Sequence, residues 1–207
     1  MALFHWLAAL IVLLSLIYLS FVLTLAEWLA ALRAGRAVSL LPERGERAWP
    51  MWTQVGLVLV GLALFAGMAF LLWIPLFAVP AGAAFPLGVL GLILYLAGCA
   101  FILWARRMLG KMWGISTGRN VRLLDDHQLI QSGPYACVRH PMYFGWWVAM
   151  VGLLLLYPVW LVLVMFFFSV VAFVGRARRE ESALAERFGE AWALYKKHTR
   201  FLIPYLF

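Results

Sequence analysis

The chain has 207 residues, 66% of them hydrophobic and only 13% charged, with a mean hydropathy of +0.93. A soluble domain of this length is about half apolar and about a quarter charged, so a water-soluble globular fold is excluded. The net charge of +8 and isoelectric point near 10 do not call for nucleic acid: no nucleic-acid module is recognisable, and basic residues in a membrane chain mark cytoplasmic loops and meet anionic headgroups.

Residues 2–32 read as a first transmembrane helix. Its apolar stretch, Ala2 to Ala26, is longer than the core of a secretory signal, and no basic segment precedes it. Glu27 is its one charge and lies near the C-terminal end, where it reaches headgroup water; a polar group in a substrate tunnel is the functional alternative. A loop with Arg33, Arg36, Arg44 and Arg47 follows.

No Asp, Glu, Lys or Arg occurs in the 58 residues from Ala48 to Ala105. At ~1.5 Å per residue that is roughly 87 Å of helix, against a hydrocarbon core of about 30 Å. Two crossings are predicted, over residues 51–73 and 87–105, joined by a turn that carries Pro75, Pro80 and Pro86. The glycines at 56, 61, 67, 88, 91 and 98 read as helix-packing positions, since no βαβ unit surrounds them to make a dinucleotide site.

Residues 106–140 are polar. The next 34 residues, Pro141 to Val174, carry no charge and are interrupted at Pro158. Each arm of about 16 residues makes ~24 Å of helix, so a tight helical hairpin with its tip at residues 157–160 is predicted. From Arg178 the tail places Leu184, Phe188, Ala191 and Tyr195 on one face of an amphipathic helix, weakened at Gly189 and ended by Pro204. Such a helix lies on the bilayer or covers a site at its surface.

All 17 Lys and Arg fall within residues 33–47, 106–139 and 176–200. Those three regions therefore share the cytoplasmic side. The expected fold is an all-α integral membrane protein of about five transmembrane helices, N-terminus out and C-terminus in. The last two helices form a hairpin, and a cytoplasmic amphipathic helix follows. It reads as a single membrane domain over 1–207, with three helices in 1–105 and a catalytic half in 106–207. In a bacterium the membrane would be the inner one.

There is no P-loop, no HExxH and no G-x-S-x-G. Cys99 and Cys137 are far apart, with no CxxC and no Cys/His cluster, so no metal site is expected and both read as unpaired. The hairpin has a different consequence. It brings its two outer ends together, so Arg139 and His140 should lie close to Arg176, Glu180 and Glu181, with Tyr135 and Tyr143 nearby. Cations, carboxylates, a titratable imidazole and aromatic rings then share one interfacial cleft, which is the candidate site. Taken singly, the same arginines serve equally well to bind lipid phosphates.

These residues carry a resemblance. His127-Gln-Leu-Ile, Gly133-Pro-Tyr135 and Arg139-His-Pro-Met-Tyr143-Phe-Gly145, followed by Arg176, Glu180-Glu181, Leu184, Phe188-Gly189, Tyr195 and Ile203-Pro204, resemble the isoprenylcysteine carboxyl methyltransferase family and its phospholipid-methyltransferase relatives. The resemblance spans about residues 105–207. It implies a membrane-embedded methyltransferase that uses S-adenosylmethionine without a Rossmann domain and admits a lipophilic or lipidated substrate from the bilayer. It implies a cofactor set of His127, Gln128, Leu129, Ile130, Tyr135, His140, Pro141, Met142, Tyr143 and Glu180, with Asn120 at a position given to Gln. Arg176 matches a position linked to the substrate carboxylate.

The chemistry suits this assignment. Glu180 can accept from an ammonium or a ribose hydroxyl, Arg139 or His140 can hold a carboxylate, and Tyr135 or Tyr143 can face an adenine or a sulfonium. Methyl transfer to a carboxylate depends on alignment and exclusion of water. An amine or thiol acceptor would need a base, for which His140 or Glu181 is nearest. Arg139, His140, Arg176 and Glu181 are thus the expected catalytic group. The acceptor stays open among an isoprenylated cysteine carboxylate, a phospholipid amine, a small thiol and an isoprenoid or quinone-like lipid. Two alternatives remain: an NADPH-dependent membrane sterol or steroid reductase, whose C-terminus is similar, and a non-catalytic lipid-binding membrane protein.

Overall fold

A computed structural model describes residues 2–19, 50–112 and 128–203. Five apolar helices are described: α1 (Ala2–Ile17), α2 (Met51–Leu72), α3 (Ala81–Leu109), α4 (Pro141–Leu156) and α5 (Trp160–His198). Short 3-10 turns lie at Gly110–Met112 and Gly133–Ala136. By length and composition α2, α3 and α5 are each sufficient to cross a membrane, while α1 and α4 are shorter apolar helices. The architecture is all-α and integral to the membrane. The chain divides into two compact units, residues 1–67 and 68–207, with the division inside α2. The first expected span, residues 2–32, is described only as far as residue 19; Glu27 and the loop arginines lie outside the described residues.

In the second unit the tightest packing is between α3 and α4, and glycine makes it possible. A Cβ on Gly98 would come within 2.5 Å of both the Gly145 carbonyl oxygen and the Ala149 nitrogen, and one on Gly91 within 2.7 Å of the Gly152 oxygen. Gly91 and Gly98 on α3 thus face Gly152 and Gly145 on α4 with a common spacing of seven residues, antiparallel. Helices in lipid gain little from hydrophobic burial against each other, so close backbone approach and dispersion hold this pair. Tyr95, Ile102, Ala105 and Ala149 complete a buried seam. The expected packing role holds for Gly91 and Gly98, whereas a Cβ on Gly56, Gly61 or Gly67 would meet no described residue within 4 Å.

The hairpin of α4 and α5 turns through Tyr157, Pro158 and Val159. Met150, Val159, Leu161 and Val162 form its core, with Trp146, Leu153 and Phe166 against them. Its tip is tied to the segment before α3: the Leu76 N–H donates to the Pro158 oxygen (2.8 Å) and the Trp160 N–H to the Ile74 oxygen (3.0 Å). Phe168 and Val171 stay exposed on the outer face of α5, as lipid contact requires.

Two element boundaries differ from expectation. Helix α3 begins at Ala81 and takes Pro86 into its second turn, where the missing N–H removes a single bond near the helix start. The amphipathic tail is continuous with the last span, because Gly175 is the one weak helix former between Val174 and Arg178 and it keeps helical geometry. The break comes at Gly189, whose φ of 50° and ψ of −116° suit glycine alone. Beyond it the chain changes direction, so Trp192 is buried in place of Ala191.

Candidate functional site

The site lies where the polar ends of α4 and α5 meet, beside the Gly-Pro-Tyr turn that packs on the end of α3. Gly133 opens the Gly-Pro-Tyr turn at φ 62°, and a Cβ there would press within 2.9 Å of Met108 Cγ on α3. Pro134 and Tyr135 are buried beneath it. The chain then enters α4 through His140 at the N-cap and Pro141 at the first helical position. Proline there lacks only an N–H that the helix would leave unpaired, and it keeps the preceding residue out of the helix. The His140 ring is thereby fixed at the mouth of α4, where the residue is only 8% exposed.

Facing it, α5 presents Phe173, Arg176, Glu180 and Glu181. Tyr143 Oη donates to both Glu180 oxygens (2.9 and 3.0 Å), and Arg176 Nε donates to Glu180 Oε1 at 2.8 Å. Arg139 Nε donates to Glu181 Oε1 at 2.6 Å, and its Nη1 donates to the carbonyls of Thr199 (2.6 Å) and Lys196 (3.4 Å). The Arg139–Glu181 side chains are only 7% and 13% exposed; removing one partner of a pair so buried costs about 3–5 kcal/mol because the other charge is stranded. Lys196 Nζ lies 3.8 Å from Glu181 Oε2. The His140 ring sits between the carboxylates, Nδ1 3.5 Å from Glu180 Oε2 and Nε2 3.4 Å from Glu181 Oε1. Among the described residues its buried Nε2 has no hydrogen-bond partner.

The electrostatics follow from this crossing of charges. Burial opposes a charge on His140, but Glu180 and Glu181 on either side outweigh it and raise its pKa. Burial likewise opposes ionisation of Glu180 and Glu181, yet His140 with Arg176, and His140 with Arg139, hold both carboxyls below their ordinary range. Burial keeps the Tyr135 phenol protonated, its pKa well above the usual value.

The tail closes the site from behind. The Tyr195 hydroxyl donates to the Tyr135 carbonyl at 2.8 Å. The Arg139 N–H donates to the Arg200 oxygen (2.8 Å) and the Arg200 N–H to the Cys137 oxygen (3.0 Å), a single parallel bridge.

Arg139, His140, Tyr143, Arg176, Glu180 and Glu181 therefore come together as the hairpin argument expected, with Tyr135 and Pro141 buried beside them. Gln128 is placed differently: it is exposed, with its N–H on Met112 Sδ at 3.3 Å. Among the described residues no hydrogen bond joins Gln128, Leu129, Ile130 or Met142 to the cluster. Asn120 and His127 lie outside the described residues. Sequence reasoning missed Phe173, Thr199 and Phe201. Phe173 had a signal, since residues 173, 176 and 180 share one helical face. Thr199 and Phe201 had none, because a one-residue backbone bridge leaves no periodic pattern.

The fold and site define a multi-pass membrane protein with a charged, aromatic-lined cluster at the mouth of its last helical hairpin. Residues 90–186 match the model of the isoprenylcysteine carboxyl methyltransferase (ICMT) family. Over 84 residues the chain is 40% identical to the protein-S-isoprenylcysteine O-methyltransferase of Saccharomyces cerevisiae, covering 39% of this chain and 34% of that protein. Over 127 residues it is 32% identical to the Xenopus laevis protein of the same name, covering 58% and 41%. The solved structure of a eukaryotic intramembrane Ras methyltransferase, ICMT, superposes with a TM-score of 0.50 at 27% identity, covering 58% of this chain and 43% of that one. Residues 90–186 in sequence, and the helical membrane fold, are thus similar to those of the ICMT family. The chain matches about a third to two fifths of the length of these curated relatives.

Proposed function

We propose that the protein is an intramembrane methyltransferase that takes its methyl group from S-adenosylmethionine and transfers it to the carboxylate of an S-isoprenylated cysteine or a closely similar lipophilic acid. The observation that carries this reading is the convergence of His140 and Tyr143 with Arg176, Glu180 and Glu181 at a helix mouth, inside the ICMT-like stretch. The cluster fits such a cofactor. The two carboxylates suit its ammonium, ribose hydroxyls and sulfonium, and the unpaired Nε2 of His140 marks a buried polar atom with a hydrogen bond still to make. When bound, the cofactor supplies an electrophilic methyl group on sulfur.

The chain's own residues then have separable tasks. Glu180, fixed by Tyr143 and Arg176, offers an oriented negative charge and needs no proton transfer. Tyr143 and Phe173 stack at 4.7 Å and make one apolar wall. Arg176 lies four residues before Glu180, about 6 Å nearer the apolar part of α5. An acceptor carboxylate arriving from the bilayer meets this guanidinium first, which offsets its repulsion by Glu180 and Glu181. Arg139 stands behind Glu181 and fixes it. A carboxylate acceptor requires no general base, so alignment and dehydration at the membrane surface account for the rate. The charge distribution supports a cytoplasmic site with the N-terminus on the opposite face.

Titration of detergent-purified protein with S-adenosylhomocysteine and, separately, with NADPH tests the reading. Saturable binding of the first alone is expected, lost in Glu180→Gln with the protein still monodisperse. Binding of NADPH alone contradicts it and selects the reductase alternative.

A further inference from the structure

The other charged side chains of the cluster are each held by hydrogen bonds: Arg139 by Glu181 and Thr199, Glu180 by Tyr143 and Arg176, Glu181 by Arg139. His140 Nε2 has none among the described residues. Packing orients this ring instead. Tyr143 lies parallel to it, with centroids 5.6 Å apart and 13° between planes, and Phe201 meets it edge to face at 5.4 Å and 82°. Tyr143 is on the first turn of α4 and comes with it. Phe201 is 61 residues away in sequence and arrives through the Val138–Arg200 bridge. The Arg139 guanidinium lies 5.7 Å from the same Phe201 ring, so one aromatic side chain touches both members of the Arg-His pair.

We propose that Phe201 is a positioning residue: the C-terminal segment sets the plane of the His140 imidazole, holding Nε2 beside Glu181 yet unbonded to it, so that the nitrogen stays open to the methyl donor. The proposal rests on the methyl-donor reading. A ring free to turn would close the 3.4 Å gap to Glu181 and use up that nitrogen, since a hydrogen bond to a carboxylate is among the stronger ones available. Phe201 prevents this by occupying the space through which the ring would turn.

Phe201→Leu, which keeps apolar volume without the aromatic edge, and Phe201→Tyr, which keeps the edge, separate positioning from filling. S-adenosylhomocysteine affinity is measured by calorimetry. The His140 titration is followed by NMR of 15N-histidine-labelled protein, assigned with His140→Asn. Phe201→Leu should weaken binding about threefold to tenfold, the scale of one aromatic pair, and Phe201→Tyr should stay within about twofold of the wild type. The titration midpoint should rise in Phe201→Leu and not in Phe201→Tyr. The groups facing the ring are Glu180 and Glu181 from α5 and Tyr143 from α4, with Arg139 and Lys196 on Glu181. Water admitted beside the ring and a new bond to Glu181 both favour imidazolium. Wild-type affinity in Phe201→Leu, or weaker binding with an unmoved midpoint, overturns the proposal. A raised midpoint in a protein whose wild type binds no S-adenosylhomocysteine would leave Phe201 positioning the ring and remove the methyl-donor reading alone.

Discussion

His140 is held at the crossing point of two ion pairs, and the sign of each pKa shift fixes how the site responds to pH. Its folded pKa lies above the ordinary 6.5. Its contribution to stability is therefore complete below 6.5 and lost as pH rises through the folded value. Glu180 and Glu181 titrate below their ordinary 4.5 in the folded protein. Their contribution is complete above 4.5 and lost as pH falls through the folded values. Thermal stability in detergent should thus peak between about pH 4.5 and 6.5. His140→Gln should flatten the alkaline limb and spare the acid one; an unchanged alkaline limb would assign it to another group. Much of this cluster was legible in the chain, because a proline between two uncharged arms forces a hairpin and a hairpin joins its ends. The task of Arg139 was not: its place in the sequence gives no hint that the Thr199 and Lys196 carbonyls accept from its Nη1.

At the scale of helices, the α3–α4 seam is the part that tolerates least. Gly98→Ala puts a methyl group 2.5 Å from backbone atoms of Gly145 and Ala149, which forces the helices apart and should cost about 1–3 kcal/mol. Gly61→Ala, with no described residue within 4 Å, should be neutral or stabilising by up to about 1 kcal/mol, the helix-propensity gain. Thermal melts of the two variants check this, and equal losses would contradict the seam. The contrast shows where pattern reading ends. Composition marked all these glycines alike, but only a partner at complementary spacing, Gly145 and Gly152, makes one a contact. The α5 boundary teaches the same lesson. The change from apolar to charged residues after Gly175 ends the membrane segment without ending the helix, so a charge boundary stood in for a structural one. The true break is a single backbone conformation at Gly189.

For the molecule as a whole, the proposed reaction joins a water-soluble methyl donor to a lipid-soluble acceptor at one face of the membrane. The exposed Cys137 thiol sits beside the site and Cys99 is buried in α3. A membrane-impermeant maleimide applied to sealed vesicles should therefore label Cys137 from the cytoplasmic face only; labelling from the opposite face reverses the proposed orientation. The most direct test is methyl transfer itself. Purified protein in lipid would be given radiolabelled S-adenosylmethionine and a small S-isoprenylated N-acylcysteine, and the lipid-soluble product would then be treated with mild alkali. Saturable incorporation released by alkali as labelled methanol, the signature of a carboxyl methyl ester, is expected, with at most background in Arg176→Ala and Glu180→Gln. No incorporation by a folded protein that binds S-adenosylhomocysteine, or a label that resists alkali, would contradict a carboxylate acceptor.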